Sequence, residues 1–261
     1  MVDRLIRPIR FAISDQEQRW IRATYPGLDF ARGNPPRSLA GRLEFDYKPP
    51  RCPSTTTYTG PIAGRIQDSY NVEVLFDEPG PAYTILPAAR ELDGRIKKSG
   101  ELHGIVSQSD MHITAEGLMC LCAPPEESDF LPNGFVLDQY ISELLIPFLY
   151  AQSFFEQYGV WPWGTRSHGF LGVLESYLYM SESKKGVDPL KATETFNSLM
   201  KVNSDNGMKW IRKALAADDP PRGHAPCPCG SAKPFRTCHS DAFRGLWQLW
   251  QDVRASERSE E

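Results

Sequence analysis

Four residues near the C-terminus limit the fold of this chain more than any other feature: Cys227, Cys229, Cys238 and His239, in the string CPCGSAKPFRTCH. A Cys-x-Cys pair, eight intervening residues and a Cys-His pair offer three thiolates and one imidazole. Zinc prefers soft and borderline donors in a tetrahedron, and a segment this short has no core of its own to fold around. The spacing therefore predicts a bound Zn2+, with Gly230 and Ser231 permitting the tight turn that folds the loop back over the metal. Because protein donors fill all four positions, the metal is expected to be structural and its module an interaction surface.

The cluster also decides how the six cysteines are read. Three of them gathered at a metal site favour a reducing compartment over a disulfide framework. Arginines interrupt the N-terminal MVDRLIRPIRFAIS, which lacks the apolar centre of a secretory signal, and no apolar run approaches the roughly 18 residues of a spanning helix. A cytoplasmic protein with no membrane partner is expected. With 261 residues the chain can bury a sizeable core, as one large domain or as a medium domain with a small appendage. Its net charge of -4 gives no electrostatic case for nucleic acid, whose binding modules carry a basic excess.

Ser14 and Glu17 have the form of a capping box, and Trp20, Ile21 and Tyr25 allow a short helix ending at Pro26. Leu39, Leu43 and Phe45 mark a half-exposed strand from Ser38 to Tyr47. Two more strands are expected, Gly60 to Ile66 and Tyr70 to Phe76, the latter with Tyr70, Val72, Val74 and Phe76 on its core face. Prolines 79, 81 and 87 favour an extended edge segment, and the region from 88 to 110 reads as polar and irregular. After a polar loop at 126–134, Leu137, Tyr140, Ile141, Leu144, Leu145 and Phe148 recur at helical spacing. Pro147 predicts a kink, or a break at which a second helix begins and runs to Tyr158. Trp161, Trp163 and His168 in the following turn read as packing residues. Further helices are expected from Asp188 to Met200 and from Met208 to Ala216, with Pro220 and Pro221 as a boundary.

Between strands and long helix lies MHITAEGLMCLCAPP, residues 111–125. Gly117 suggests a turn that delivers Cys120 on a short buried run, with His112 eight residues upstream. The stretch fits either a thiol nucleophile or a core cysteine in a turn. Cys122 is the alternative nucleophile, since residues two apart on an extended segment share a side.

Residues 225–239 resemble the SEC-C motif, a zinc-binding element also found at the C-terminus of the preprotein translocase ATPase, with all four ligand positions kept. Residues 38 to 170 resemble the order of elements in ubiquitin-conjugating enzymes. Gly117, Leu118, Met119, Cys120 and Leu121 match that family's Gly-x-x-Cys-Leu sequence, and His112 matches the histidine of its His-Pro-Asn turn, with Ile113 and Thr114 in place of the proline and asparagine. The likeness is closer to bacterial homologues encoded in antiphage defence operons, including cyclic-oligonucleotide (CBASS) systems. Their Ile-Pro-aromatic step, Tyr-Glu-like pair and Gly-Trp-x-Gly turn are matched by LLIPFLYAQSFFEQYGVWPWGTRSHG, with Phe148 in the aromatic place and Phe155-Glu156 as the pair.

The resemblance implies an α+β fold: an N-terminal helix, an antiparallel meander of about four strands and C-terminal helices, plus the zinc knuckle. It divides the chain into a conjugating-like domain over 1–180, a helical linker over 181–220 and a zinc module with its C-terminal helix over 221–261. It implies a cysteine thioester enzyme with Cys120 as nucleophile and His112 as loop support or proton-transfer aid. An activating enzyme in trans would load it with the C-terminus of a cyclic-nucleotide synthase or of a ubiquitin-like protein. The contrasting expectation is an inactive adaptor of the same fold that recruits a partner through the zinc module.

Overall fold

The computed structural model describes residues 11–33, 35–49, 63–80, 86–123, 126–162, 167, 169–182 and 206–259. The expected strand start at 60–62, Trp163, His168, prolines 81, 124 and 125, and the expected helix over 188–200 lie outside the described residues. Two compact units emerge, Met1–Cys122 with Glu127–Thr165, and Ala123–Glu126 with Arg166–Glu261.

The first unit begins with α1 (Asp15–Thr24), and the expected capping box is formed. Ser14 Oγ accepts the Glu17 N–H at 3.2 Å, and the Glu17 carboxylate accepts the Ser14 N–H at 2.8 Å. Two otherwise orphaned donors of the first turn are thereby satisfied. The second oxygen of Glu17 accepts the Leu137 N–H at 3.0 Å, so the cap also ties α1 to the start of the long helix.

Four antiparallel strands follow in meander order: β1 (Leu28–Phe30), β2 (Ser38–Tyr47), β3 (Ile66–Pro79) and β4 (Pro87–Glu91). Leu39, Leu43 and Phe45 of β2 and Tyr70, Val72, Val74 and Phe76 of β3 are all buried, as their alternation requires. Of the strand expected at 60–66, only Ile66 is strand among the described residues, and the strand expected at 70–76 is longer than predicted, running from Ile66 to Pro79. Gln67, Asp68 and Ser69 have turn-like composition, yet they pair with Asp46, Phe45 and Glu44, so the neighbouring strand carries the ladder through them. β1 was not expected. It is three residues long, too short to show a period.

The region from 88 to 110 is likewise corrected from irregular to structured: β4, then α2 (Arg95–Leu102) and a 3-10 turn, Gln108–Met111. The interaction that fixes α2 is tertiary. Arg95 donates to Asp68 at 3.0 and 2.7 Å, to the Ser69 carbonyl at 3.1 Å and to Glu156 at 3.0 Å, and its guanidinium lies 4.3 Å from the centre of the Tyr70 ring. Burial opposes the charge on Asp68, but hydrogen bonds from Arg95, Ser153 and the Ser69 N–H outweigh it and hold the carboxyl below its ordinary value.

The polar stretch at 126–134 contains a short helix, α3 (Glu127–Phe130), with Glu126 and Glu127 buried. Beyond it the chain is helical from α4 (Leu137–Gln139) through a π turn (Tyr140–Leu145) into α5 (Ile146–Tyr158). Pro147 stands in the first turn of α5, as expected of a second helix reaching Tyr158, but the backbone stays helical across the join. The π register, in which the Ile146 N–H reaches back to the Ile141 carbonyl, widens the ladder where proline has no N–H to give. Leu149, Tyr150 and Phe154 are fully buried in the core they share with the sheet. The helix ends at Tyr158, as expected.

The second unit is helical: α6 (Phe170–Glu182), α7 (Asn206–Ala216), α8 (Phe235–Cys238) and α9 (Ser240–Ser259). Leu174, Tyr177, Ile211, Leu215, Phe235, Leu246 and Leu249 form a single core, so the proline pair at 220–221 lies within one packed body. Helices α6 and α9 touch at backbone distance: a Cβ placed on Gly245 would lie 1.9 Å from the Leu174 carbonyl oxygen. No helix among the described residues is long and apolar enough to cross a membrane.

Gly245→Ala should lower the urea unfolding midpoint by the equivalent of about 1–3 kcal/mol, the clash outweighing alanine's better helix propensity. Gly64→Ala, whose added methyl meets open space, is the matched control and should leave the midpoint in place. The depressed Asp68 carboxyl stabilises the fold at neutral pH. That contribution is lost as pH falls below 3.8 and the group takes up its proton. An acid titration followed by circular dichroism should therefore show a shallower fall for Asp68→Asn than for the wild type, from a lower starting stability.

Candidate functional site

The stretch around Cys120 is a small hairpin pinned to the sheet. After the 3-10 turn, His112 takes a left-handed conformation at φ 55° and reverses the chain. Ile113 bridges Met119, the Thr114 N–H donates to the Leu118 carbonyl at 2.8 Å, and the Gly117 N–H closes the turn on the Thr114 carbonyl at 3.0 Å. At the open end the Cys120 N–H donates to the His112 carbonyl at 2.8 Å. The Met119 N–H donates to the Ala89 carbonyl at 2.8 Å, and Leu118 bridges Arg90, which seats the hairpin on β4. The structure thus brings His112 and Cys120 together through the backbone.

Only Met119 of the expected buried run is buried. Cys120 is exposed, with Leu118 and Leu121 half-buried. Cys122 was expected on the same side as Cys120, but it packs against the core. The rule of two holds for a straight strand, and here the chain leaves its last bridge at Met119 and bends at Cys122. Protein atoms around the Cys120 sulfur strip part of its hydration and push the thiol above its ordinary value, exposed though the residue is.

The His112 ring meets Trp161 edge to face at 4.9 Å, and Trp161 stacks on Phe155 at 4.5 Å. Trp161 is buried, in keeping with a packing role. Of the pair Phe155-Glu156, the phenylalanine backs this aromatic stack and the glutamate receives Arg95. One contributor was missed in the sequence: Gln152 of α5, whose Nε2 donates to the Met111 carbonyl at 2.8 Å, next to His112. Its signal was a polar residue inside the apolar string IPFLYAQSFF.

The second constellation lies at the other end of the chain. The Cys227 N–H donates to the Lys233 carbonyl at 2.7 Å, Pro226 bridges Pro234, and Gly230 turns the loop at φ 85°. Helix α8 then carries Cys238 and His239 back to the first pair. The ligand atoms of Cys227, Cys229, Cys238 and His239 all lie within 4.8 Å of one another. Cys227 Sγ is 3.2 Å from His239 Nδ1, and the Cys229 and Cys238 sulfurs are 3.7 Å apart. A zinc tetrahedron with bonds near 2.3 Å has sulfur–sulfur edges of about 3.8 Å, close to the Cys229–Cys238 separation, so the donor types and their clustering are compatible with such an ion. Burial pushes the Cys227 thiol up, while a hydrogen bond from Ser231 holds Cys229 down. A cation would draw all three to the thiolate form.

Phe235, at the start of α8, is fully buried between Trp210 and Phe243, at ring distances of 5.5 and 5.7 Å. The knuckle is therefore part of the helical core. Of the aromatic C-terminal helix, Leu246 and Leu249 point into that core and Trp247 is exposed.

The SEC-C motif model matches residues 225–241, the segment that holds these four ligands. No curated protein and no solved structure matches the chain.

Elemental analysis should find about one zinc per chain, and Cys229→Ser should lose it. Because Phe235 is anchored independently of the metal, chelation should expose the knuckle thiols to alkylation while far-ultraviolet dichroism changes little. Collapse of the helical signal on chelation would mean that the metal organises the whole unit.

Proposed function

We propose that this chain is a ubiquitin-conjugating-like transferase of bacterial antiviral defence, acting in the cytoplasm, that carries a protein C-terminus as a thioester on Cys120. The observation that carries the reading is the exposed Cys120, held by its own N–H to the His112 carbonyl at the mouth of a hairpin seated on the last strand of a four-stranded meander. A nucleophile that must meet a large protein donor belongs at such an accessible and backbone-fixed position. The capped N-terminal helix before the sheet and the long helix after it agree with the same reading.

In the first step the Cys120 thiolate attacks the carbonyl carbon of a thioester carried by an activating enzyme. A new carbon–sulfur bond forms, the old one breaks, and the activating enzyme's thiolate leaves. In the second an amine or hydroxyl of the acceptor attacks the same carbon, gives up its proton, and expels Cys120 as thiolate. Thiolates leave well, so the energy of the acyl group is kept between the steps. His112 serves as loop support, its carbonyl holding Cys120 and its ring lying against Trp161. The donor is the C-terminus of a cyclic-nucleotide synthase or of a ubiquitin-like protein. Zn2+ in the C-terminal knuckle is structural.

The raised Cys120 thiol favours a second reading, an inactive adaptor of the same fold whose zinc module recruits a partner. Incubation with the activating enzyme, ATP and the donor protein separates the two. The transferase forms a reductant-sensitive adduct that Cys120→Ala abolishes and Cys122→Ala keeps. Its rate should climb about tenfold per pH unit with no plateau below pH 9, because the reactive thiolate is the minor form throughout. No adduct with either class of donor selects the adaptor.

A further inference from the structure

Gln152 makes an uneconomical choice for the middle of a core. It is 1 % exposed, on the buried face of α5, between Ala151 and Ser153. Its Nε2 donates to the Met111 carbonyl at 2.8 Å, and its Oε1 has no hydrogen-bond partner among the described residues. A buried amide that leaves its carbonyl oxygen unpaired weakens a fold relative to an apolar side chain of the same size. The bond it does make falls on one peptide, the one that joins Met111 to the left-handed His112. A non-glycine residue at positive φ persists only where its surroundings over-determine it. Here Gln152 fixes the peptide before His112, Trp161 fixes its ring, and the His112 carbonyl receives the Cys120 N–H.

We infer that Gln152 is a positioning residue for the Cys120 thiol, acting through the strained His112 rather than by contact with any substrate. The chain of contacts runs from the Gln152 amide to the Met111 carbonyl, across the His112 turn, to the peptide nitrogen of Cys120. Its meaning for transfer rests on Cys120 being the nucleophile, but the placement of the thiol does not.

The test uses the full chain with Gln152→Met, which keeps the volume and removes the donor, and Gln152→Leu in parallel. Two quantities are read in the folded protein: the nuclear magnetic resonance position of the His112 ring protons, displaced by the Trp161 ring, and iodoacetamide alkylation at Cys120 and Cys122, resolved by peptide mass. The expected result is a His112 signal moved toward its free position and a Cys120 rate changed by at least about threefold, with the Cys122 rate unmoved. Unchanged His112 and Cys120 signals would overturn the inference and leave Gln152 a packing residue. Equal changes at both cysteines would overturn it too, since they report general loosening. Alkylation needs no activating enzyme, so a positive result here beside a failed adduct assay would count against the transferase reading alone.

Discussion

The Arg95 guanidinium holds the first unit in register. It reaches β3 through Asp68 and the Ser69 carbonyl, α5 through Glu156, and the face of Tyr70 between them. A partly buried cation is tolerated only when its donors are matched, and the five-donor planar fork bonds both oxygens of Asp68 and still reaches Glu156 and the Ser69 carbonyl, more bonds than the three donors of an ammonium supply. The Asp68 carboxylate passes the network on to Ser153, whose hydroxyl donates to it at 2.6 Å. Sheet, α2 and α5 are thereby fixed against one another in the region from which the Cys120 hairpin is built.

That hairpin is held mainly by its backbone. Its turn, its bridge and its seat on β4 are N–H to carbonyl bonds, and among the side chains that take part are Thr114 within the turn, Gln152 beneath it and Trp161 against His112. An arrangement of this kind places one sulfur accurately while leaving its chemical surroundings open. The thiol is raised because neighbouring atoms strip part of its hydration, the opposite of an activated thiolate. Chemistry at Cys120 would therefore gain more from position than from ionisation.

The second unit solves a different problem. A knuckle of this length buries too little apolar surface to stand alone, and metal ligation is the usual remedy. Here Phe235 adds a second anchor by entering a core made from α6, α7 and α9, and Gly245 lets α9 approach α6 closely enough to close that core. Phe235 thus ties the knuckle to the helices independently of its ligand cluster. Trp247 remains at the surface.

Much was legible in the sequence where the governing physics is local. The capping box of α1 needs two residues three apart, the inward faces of β2 and β3 need only alternation, and the ligand set at residues 227–239 needs only donor type and spacing. What the sequence hid depended on partners distant in the chain. Strand β3 runs through a turn-like triplet because β2 is there to bond it, and α2 stands because Asp68 and Glu156 meet Arg95. Pro147 rides through a helix because the preceding turn relaxes to π register. The cysteines followed the same division. By itself the sequence determined which residues could bind a metal and that Cys120 follows a turn. Only the tertiary structure decided that Cys120 faces water while Cys122 packs inward, because the outcome depends on where β4 holds the hairpin and where the chain bends away from it.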